Sequence, residues 1–290
     1  MMRPHSVPVV LLILTLSLAA AAQKRVYTVA SEEVRIDVLV ADGDRPVPDL
    51  SPSDFKVFDD GVLQTIDYAR LQRHMPIHAI LVFDMSRSVS GTLLSHLKEA
   101  AQQLFSDFEE GDRAALITFN HTVALGSPLT SDLASIQSAL QRTRPFGNSS
   151  LIDATYTGLA MAESGVDVPL IILFSDGYDT SSWLTGDMVL ETAKRSPSVV
   201  YAVSTQRRPN ESFLNDITDF TGGSLHEAEF IVDLPSVFVG ILEEFRKRYV
   251  LAYTPRGVPE TGWHRLEVQV RHPTARIRTR PGYVRSAPER

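Results

Sequence analysis

The stretch IHAILVFDMSRSVSGTLLSHLKEAAQQLFSDFEEGDRAALITF, residues 77–119, decides the fold. It opens with an unbroken apolar run, IHAILVF (77–83), of strand length and with no polar alternation, which is the pattern of a strand covered on both faces. A polar loop, DMSRS (84–88), follows. Leu93, Leu94, Leu97, Ala100, Ala101, Leu104, Phe105 and Phe108 then recur at three- and four-residue spacing, the period of an amphipathic helix. AALITF (114–119) is a second apolar run, so the segment reads as strand, helix, strand in a parallel sheet.

The same rhythm continues toward the C-terminus. TVALGSPL (122–129) is extended, and residues 132–143 are helical with Leu133, Ile136 and Leu140 inward. Another helix follows Ser150. LIILF (170–174) and SVVYAVS (198–204) are further buried strands, with helices near 188–194, 212–220 and 235–246. Residues 76–246 are therefore expected to form a doubly wound, mostly parallel six-stranded α/β domain, Rossmann-like in layout, with helices on both faces.

The flanks differ. In residues 23–75, Val34, Ile36, Val38 and Val40 alternate with Glu33, Arg35 and Asp37, which predicts a strand with one buried face. FKVF (55–58) and LQTIDY (63–68) lie on either side of Asp60-Gly61 and read as a hairpin. Residues 247–290 return to strands at YVLAYTP (249–255), HRLEVQV (264–270) and ARIRTRPGYV (275–284). Each flank is too small to be stable alone, so the two are expected to pack into one composite β module. Arg276, Arg278 and Arg280 would share the outer face of an edge strand.

Composition is that of a globular protein, 43% hydrophobic and 22% charged, and a net charge of −7 argues against a surface built for nucleic acid or anionic lipid. VPVVLLILTLSLAAAA (7–22) follows Arg3 and ends on small residues, as a cleavable signal peptide does, so residues 1–22 are set apart from the fold. Sixteen residues are short for a bilayer that needs about 20. Export without a stable membrane span is the expectation, to a periplasmic or secreted location. With no cysteine in the chain, disulfides, thiolate metal sites and thiol nucleophiles are all excluded.

In a doubly wound sheet, ligands gather beyond the carboxyl ends of the strands. Asp84, Ser86 and Ser88 follow the first strand at spacing two, offering one carboxylate and two hydroxyls to a common point. Asp176 stands in the same place after LIILF, and Ser149 precedes a helix for which Ser150 and Asp153 read as a capping box. Oxygen donors on three loops suit a hard divalent cation. His74, His78, His96 and His121 show no ligand spacing.

DMSRS (84–88) resembles the Asp-x-Ser-x-Ser element of the metal-ion-dependent adhesion site of von Willebrand factor A and integrin I domains. GNSSLIDA (147–154) is similar to that family's Gly-Gly-Thr-Asn-Leu-x-Asp-Ala segment, FSDGYD (174–179) to its Thr-Asp-Gly segment, and DFTGGSLHEA (219–228) to the turn before its last strand. The flanking segments resemble those of bacterial secreted proteins that carry a related domain. Serine replaces threonine at 149, keeping the hydroxyl and losing the methyl that restricts its rotamer.

The resemblance implies a non-enzymatic binding module. Mg²⁺, with Mn²⁺ or Ca²⁺ as alternatives, would be held by Asp84, Ser86, Ser88, Ser149 and Asp176, with one position open for an Asp or Glu carboxylate of a partner protein. Two other classes stay open on the residues alone. A Mg²⁺-dependent phosphatase could use Asp84 as nucleophile, but it would need a second acid two residues later, where Ser86 stands. A metal-free structural module would use Asp84, Ser86 and Ser88 merely as a hydrogen-bonded turn.

Overall fold

The N-terminal strands are β1 (Val34–Asp42), β2 (Arg45–Pro46), β3 (Phe55–Asp59), β4 (Val62–Gln64) and β5 (Ile66–Leu71). The α/β part follows as β6 (His78–Asp84), α1 (Thr92–Ser106), β7 (Arg113–Phe119), β8 (Val123–Thr130), α2 (Leu133–Arg142) and α3 (Leu151–Ala162). It continues through β9 (Leu170–Ser175), α4 (Gly186–Ala193), β10 (Val199–Ser204), α5 (Glu211–Thr221), β11 (Leu225–Glu227) and α6 (Leu234–Arg246). The chain ends in β12 (Tyr249–Tyr253), β13 (Gly262–Val270), β14 (Ala275–Thr279) and β15 (Gly282–Arg285). The structure, a computed structural model, describes residues 33–43, 45–163, 168–205 and 211–285; the signal peptide expected at 1–22 lies outside them. No helix among the described residues is long and apolar enough to cross a membrane.

Six strands form the α/β sheet in the order β11-β10-β9-β6-β7-β8. All neighbours pair in parallel except β7 with β8, which is antiparallel. Alternate side chains of each strand enter opposite cores. Ala79, Leu81 and Phe83 pack with Leu97, Ala100 and Leu104 of α1 and with Phe238, Ile241 and Phe245 of α6. Ile80 and Val82 pack with Leu151 and Leu159 of α3, Val189 of α4 and Leu214 and Ile217 of α5. The doubly wound α/β layout expected from the apolar runs is the one observed. Strand order reverses at β6, which has β7 on one side and β9 on the other, so the crevice of the switch point opens beyond the ends of β6 and β9.

The flanks build a β sandwich. One sheet runs β14-β1-β12-β5 with β2 beside β1, the other β15-β13-β3-β4. Both ends of the chain contribute to each sheet, through β1 with β12 and β14, and through β3 with β13. Ile36, Val38 and Val40 meet Phe55, Val57, Leu251, Tyr253 and Leu266 between the sheets. The expected pairing of the two flanks into one module is thus present, and Glu32–Arg290 form one compact unit.

Three details depart from expectation. LQTIDY is not one strand: β4 ends at Gln64 and β5 starts at Ile66 in the other sheet. Gln64 fixes this crossing, its Nε2 donating to the Arg256 carbonyl (3.0 Å) and its Oε1 accepting from the Arg256 amide (2.9 Å). The outer face of β1 is also buried at Asp37 and Leu39, with Asp37 paired to Arg248. Arg280 leaves the arginine row of the edge strand and is buried, donating to the carbonyls of Ala193 (3.0 Å) and Ser196 (2.6 Å) at the end of α4. Those carbonyls have no partner within the helix, so the guanidinium serves as their cap.

Arg248, fully buried just after α6, fastens the two parts together. It pairs with Asp37 and donates to the Tyr201 hydroxyl (3.0 Å) and the Gly222 carbonyl (2.6 Å). Burial penalises its charge, but Asp37 and Tyr201 more than offset the penalty and hold it protonated. The Gly222-Gly223 turn is itself tightly seated: a Cβ at Gly223 would lie 1.9 Å from the Val200 carbonyl oxygen, and one at Gly222 2.7 Å from the Arg280 amide nitrogen.

Candidate metal centre at the carboxyl end of the sheet

Asp84 is the last residue of β6 and is fully buried. One carboxylate oxygen accepts from the Ser86 amide at 2.7 Å. The other accepts from the hydroxyls of Ser149 (3.2 Å) and Ser175 (3.0 Å). Ser86 Oγ lies 3.0 Å from Ser88 Oγ. Asp176, also buried, follows β9 and acts on Asp84 through space, while its own carboxylate accepts from the Tyr178 amide at 3.2 Å. The five residues singled out in the sequence thus come from three loops at one rim. Ser88 is exposed, whereas Ser86 and Ser149 are buried.

Backbone bonds lock these loops to one another. The Phe146 amide donates to the Met85 carbonyl (3.0 Å), and the Arg87 amide donates to Gly147 (3.2 Å). The amides of Thr180 (2.8 Å) and Ser181 (3.0 Å) both donate to the Ser149 carbonyl, and the Ser149 amide donates to Thr180 Oγ1 (3.1 Å). Gly147 has φ +73°, and a Cβ there would lie 2.5 Å from His121 Nδ1. Only glycine suits both the torsion and the contact.

Sequence reasoning missed Ser175. Its hydroxyl donates to Asp84 and accepts from the Gly177 amide (3.1 Å), so it links the two acid-bearing loops. Its place beside Asp176 at a strand end was the available signal. The capping box is also corrected. Ser150 makes no side-chain cap and lies 3.1 Å from Ser181 Oγ instead. Asp179 from the β9–α4 loop accepts from the Ile152 amide (3.2 Å) in the first turn of α3, while the Asp153 carboxylate reaches out to the amides of Trp183 and Leu184. Asp179 therefore serves the helix N-terminus, and Asp153 serves the loop.

Electrostatics distinguish Asp84. Burial, and after it the negative charge of Asp176, push its carboxyl up to about 6, against the pull of the Ser86 and Ser175 hydrogen bonds. Two buried carboxylates and three hydroxyls offer oxygen alone, the donor set of a hard divalent cation, and such an ion would relieve the repulsion between the acids.

A second group, Asp59, Asp60 and His264, has donor atoms within 4.8 Å of one another. Its lone pairs are largely committed to the protein. Asp59 accepts from His264 Nδ1 (2.7 Å) and from the hydroxyls of Tyr253 (2.9 Å) and Tyr283 (2.8 Å), and Asp60 accepts from the Arg265 amide (2.9 Å). This arrangement reads as a polar brace between the sandwich sheets.

A doubly wound α/β domain with an acid-and-hydroxyl rim at its switch point is a ligand-binding class of fold. The family within that class is given by the sequence, since residues 79–178 match the von Willebrand factor type A domain. That match covers about a third of the chain. An uncharacterized protein of Synechocystis sp. is 30% identical over 109 residues, 36% of this chain and 26% of that protein, so only about a quarter of the relative's length is matched.

Among solved structures, a von Willebrand factor type A protein from Catenulispora acidiphila has a TM-score of 0.55 at 11% identity, over 88% of this chain and 74% of that one. Proximal thread matrix protein 1 from the mussel byssus, solved with a zinc-occupied adhesion-site motif, has a TM-score of 0.53 at 15% identity, over 64% and 49%. A mutant of the PilB minor pilin from Streptococcus sanguinis has 0.51 at 14% identity, over 60% and 62%. These three likenesses concern the fold.

Proposed function

We propose that this chain is an exported binding module, without enzymatic turnover, that captures a carboxylate of a partner protein through a divalent cation. Asp84, Ser86, Ser88, Ser149 and Asp176 hold that cation, Mg²⁺ before Mn²⁺ or Ca²⁺. The observation that carries the reading is the meeting of two buried carboxylates and three hydroxyls at the switch point. Burying like charges together is costly unless a cation joins them. Few protein carboxylates on a bound Mg²⁺ leave it electrophilic toward an incoming acid.

The chain's residues have distinct parts in this. Asp84 anchors three hydroxyl- and amide-bearing groups at a fixed point, Ser175 couples the Asp84 and Asp176 loops, and exposed Ser88 marks the side from which a partner approaches. The zinc in the mussel protein's adhesion-site motif supports the same class of role. The domain limits proposed are 23–75, 76–246 and 247–290, with residues 1–22 removed on export to the periplasm or beyond. Phosphatase chemistry is disfavoured by Ser86, which stands where a second acid is required.

Titration calorimetry of the protein with Mg²⁺ and Mn²⁺, beside Asp84→Asn, tests the reading. Saturable uptake in the wild type, lost in the variant, is the expected result. No uptake by the wild type would leave a metal-free structural module.

A further inference from the structure

The two loops that carry Ser149 and Asp176 also carry large aromatic side chains turned to solvent. Phe146 is 53% exposed and Trp183 is 94% exposed. Neither is exposed through slackness of the chain. The Phe146 amide is bonded to Met85, its ring stands edge-on to His121 at 5.3 Å between centroids, and the next residue is the tightly seated Gly147. The Trp183 amide donates to both oxygens of Asp153 (3.2 and 3.0 Å), and its neighbours Leu184 and Ser182 are tied to Asp153 (2.9 Å) and Asp179 (2.5 Å).

Both aromatics therefore stand on backbone fixed to the rim. Phe146 lies three residues before Ser149, and Trp183 follows Thr180 and Ser181, whose amides hold the Ser149 carbonyl. A rigid, exposed aromatic contributes little to the fold and loses little entropy when a partner covers it. Two exposed charged residues of these loops, Arg87 and Arg144, are both cationic and favour an acid.

We propose that Phe146 and Trp183 are apolar anchors beside the acid-binding position, and that the partner presents its carboxylate in an extended segment with large apolar side chains on either side. This rests on the cation-mediated reading above. The cation supplies the attraction for the acid, and the two aromatics select among acids by their neighbours.

The test uses three probes in excess Mg²⁺: the capped tripeptides acetyl-Phe-Asp-Phe-amide, acetyl-Gly-Asp-Gly-amide and acetyl-Phe-Asn-Phe-amide, each titrated by calorimetry. The Phe-Asp-Phe probe is expected to bind about tenfold or more tightly than the Gly-Asp-Gly probe. The Asn probe should lose that affinity. Phe146→Ala and Trp183→Ala should each weaken the Phe-Asp-Phe probe by about five- to tenfold while leaving the Gly-Asp-Gly probe and the Mg²⁺ titration unchanged.

Equal binding of the two Asp probes, an undiminished Asn probe, or alanine variants that bind as the wild type does would each overturn the proposal. So would Mg²⁺ uptake without binding of any peptide. Phosphatidylglycerol vesicles bound through Trp183 would overturn it by making a membrane the occupant. Failure of the underlying reading shows separately, as absence of Mg²⁺ uptake by the wild-type protein.

Discussion

Among the described residues, the buried carboxylates fall into two groups that are treated differently. Away from the rim each has a committed partner: Asp37 has Arg248, Asp112 has Arg246 at 2.5 Å, and Asp59 has His264 and two tyrosine hydroxyls. At the rim, Asp84 is hydrogen-bonded by an amide and hydroxyls and faces another acid. The first arrangement spends its electrostatics on holding the fold. The second leaves negative charge uncompensated by the protein, as a site for a cationic guest does.

Removing a partner at the junction should produce the largest effect. Arg248→Met strands Asp37 in the interior and is expected to destabilise the protein by on the order of 3–5 kcal/mol in urea unfolding. Adding Asp37→Leu to it should recover most of that loss; no recovery would show that the pair is not the source.

At the rim the sign reverses. Asp84 has a folded pKa of about 6 against 3.8, so its charge costs stability above about pH 6, costs progressively less as pH falls, and costs nothing below about pH 4. Without divalent ions, Asp84→Asn should therefore be more stable than the wild type by roughly 3 kcal/mol at pH 7, since each tenfold gain in proton affinity on folding corresponds to about 1.4 kcal/mol, and the gap should close near pH 4. Added Mg²⁺ should stabilise the wild type alone. A destabilised Asn variant at pH 7 would place Asp84 with the structural acids.

Smaller effects sharpen the same contrast. Tyr283→Phe removes one of the donors to Asp59 and should cost about 1–2 kcal/mol by chemical denaturation, with Mg²⁺ affinity unchanged. Ser88→Ala, at an exposed position, should leave stability within about 0.5 kcal/mol while weakening Mg²⁺ severalfold in calorimetry.

The sequence made the α/β part legible because its information is local. Buried runs such as IHAILVF and the helical spacing of Leu97, Ala100 and Leu104 need no knowledge of distant residues. Most rim residues were legible for a related reason, since Asp84, Ser86, Ser88 and Asp176 stand at or just after strand ends, while Ser149 stands just before a helix. What escaped depends on long-range placement. The break at Thr65 is set by Gln64 meeting Arg256, Arg280 leaves its row to cap α4, and Asp179 rather than Asp153 meets the first turn of α3 because the loop folds back on that helix. In each case a polar side chain finds a backbone group far along the chain, and such pairings leave no periodic trace.

Leu71 of β5 and Tyr249 of β12 face one another in the antiparallel ladder, so these two strands have the register of a hairpin. Everything from Gln72 to Arg248 occupies the position of its loop. The α/β domain is thus a guest in a turn: it enters and leaves through adjacent strands, and a short turn in its place would rejoin the sandwich without a change of strand order. The same geometry makes β5 and β12 a double stem. A pull on the rim passes to both strands together, and from β12 into β1 along a row of hydrogen bonds loaded in shear.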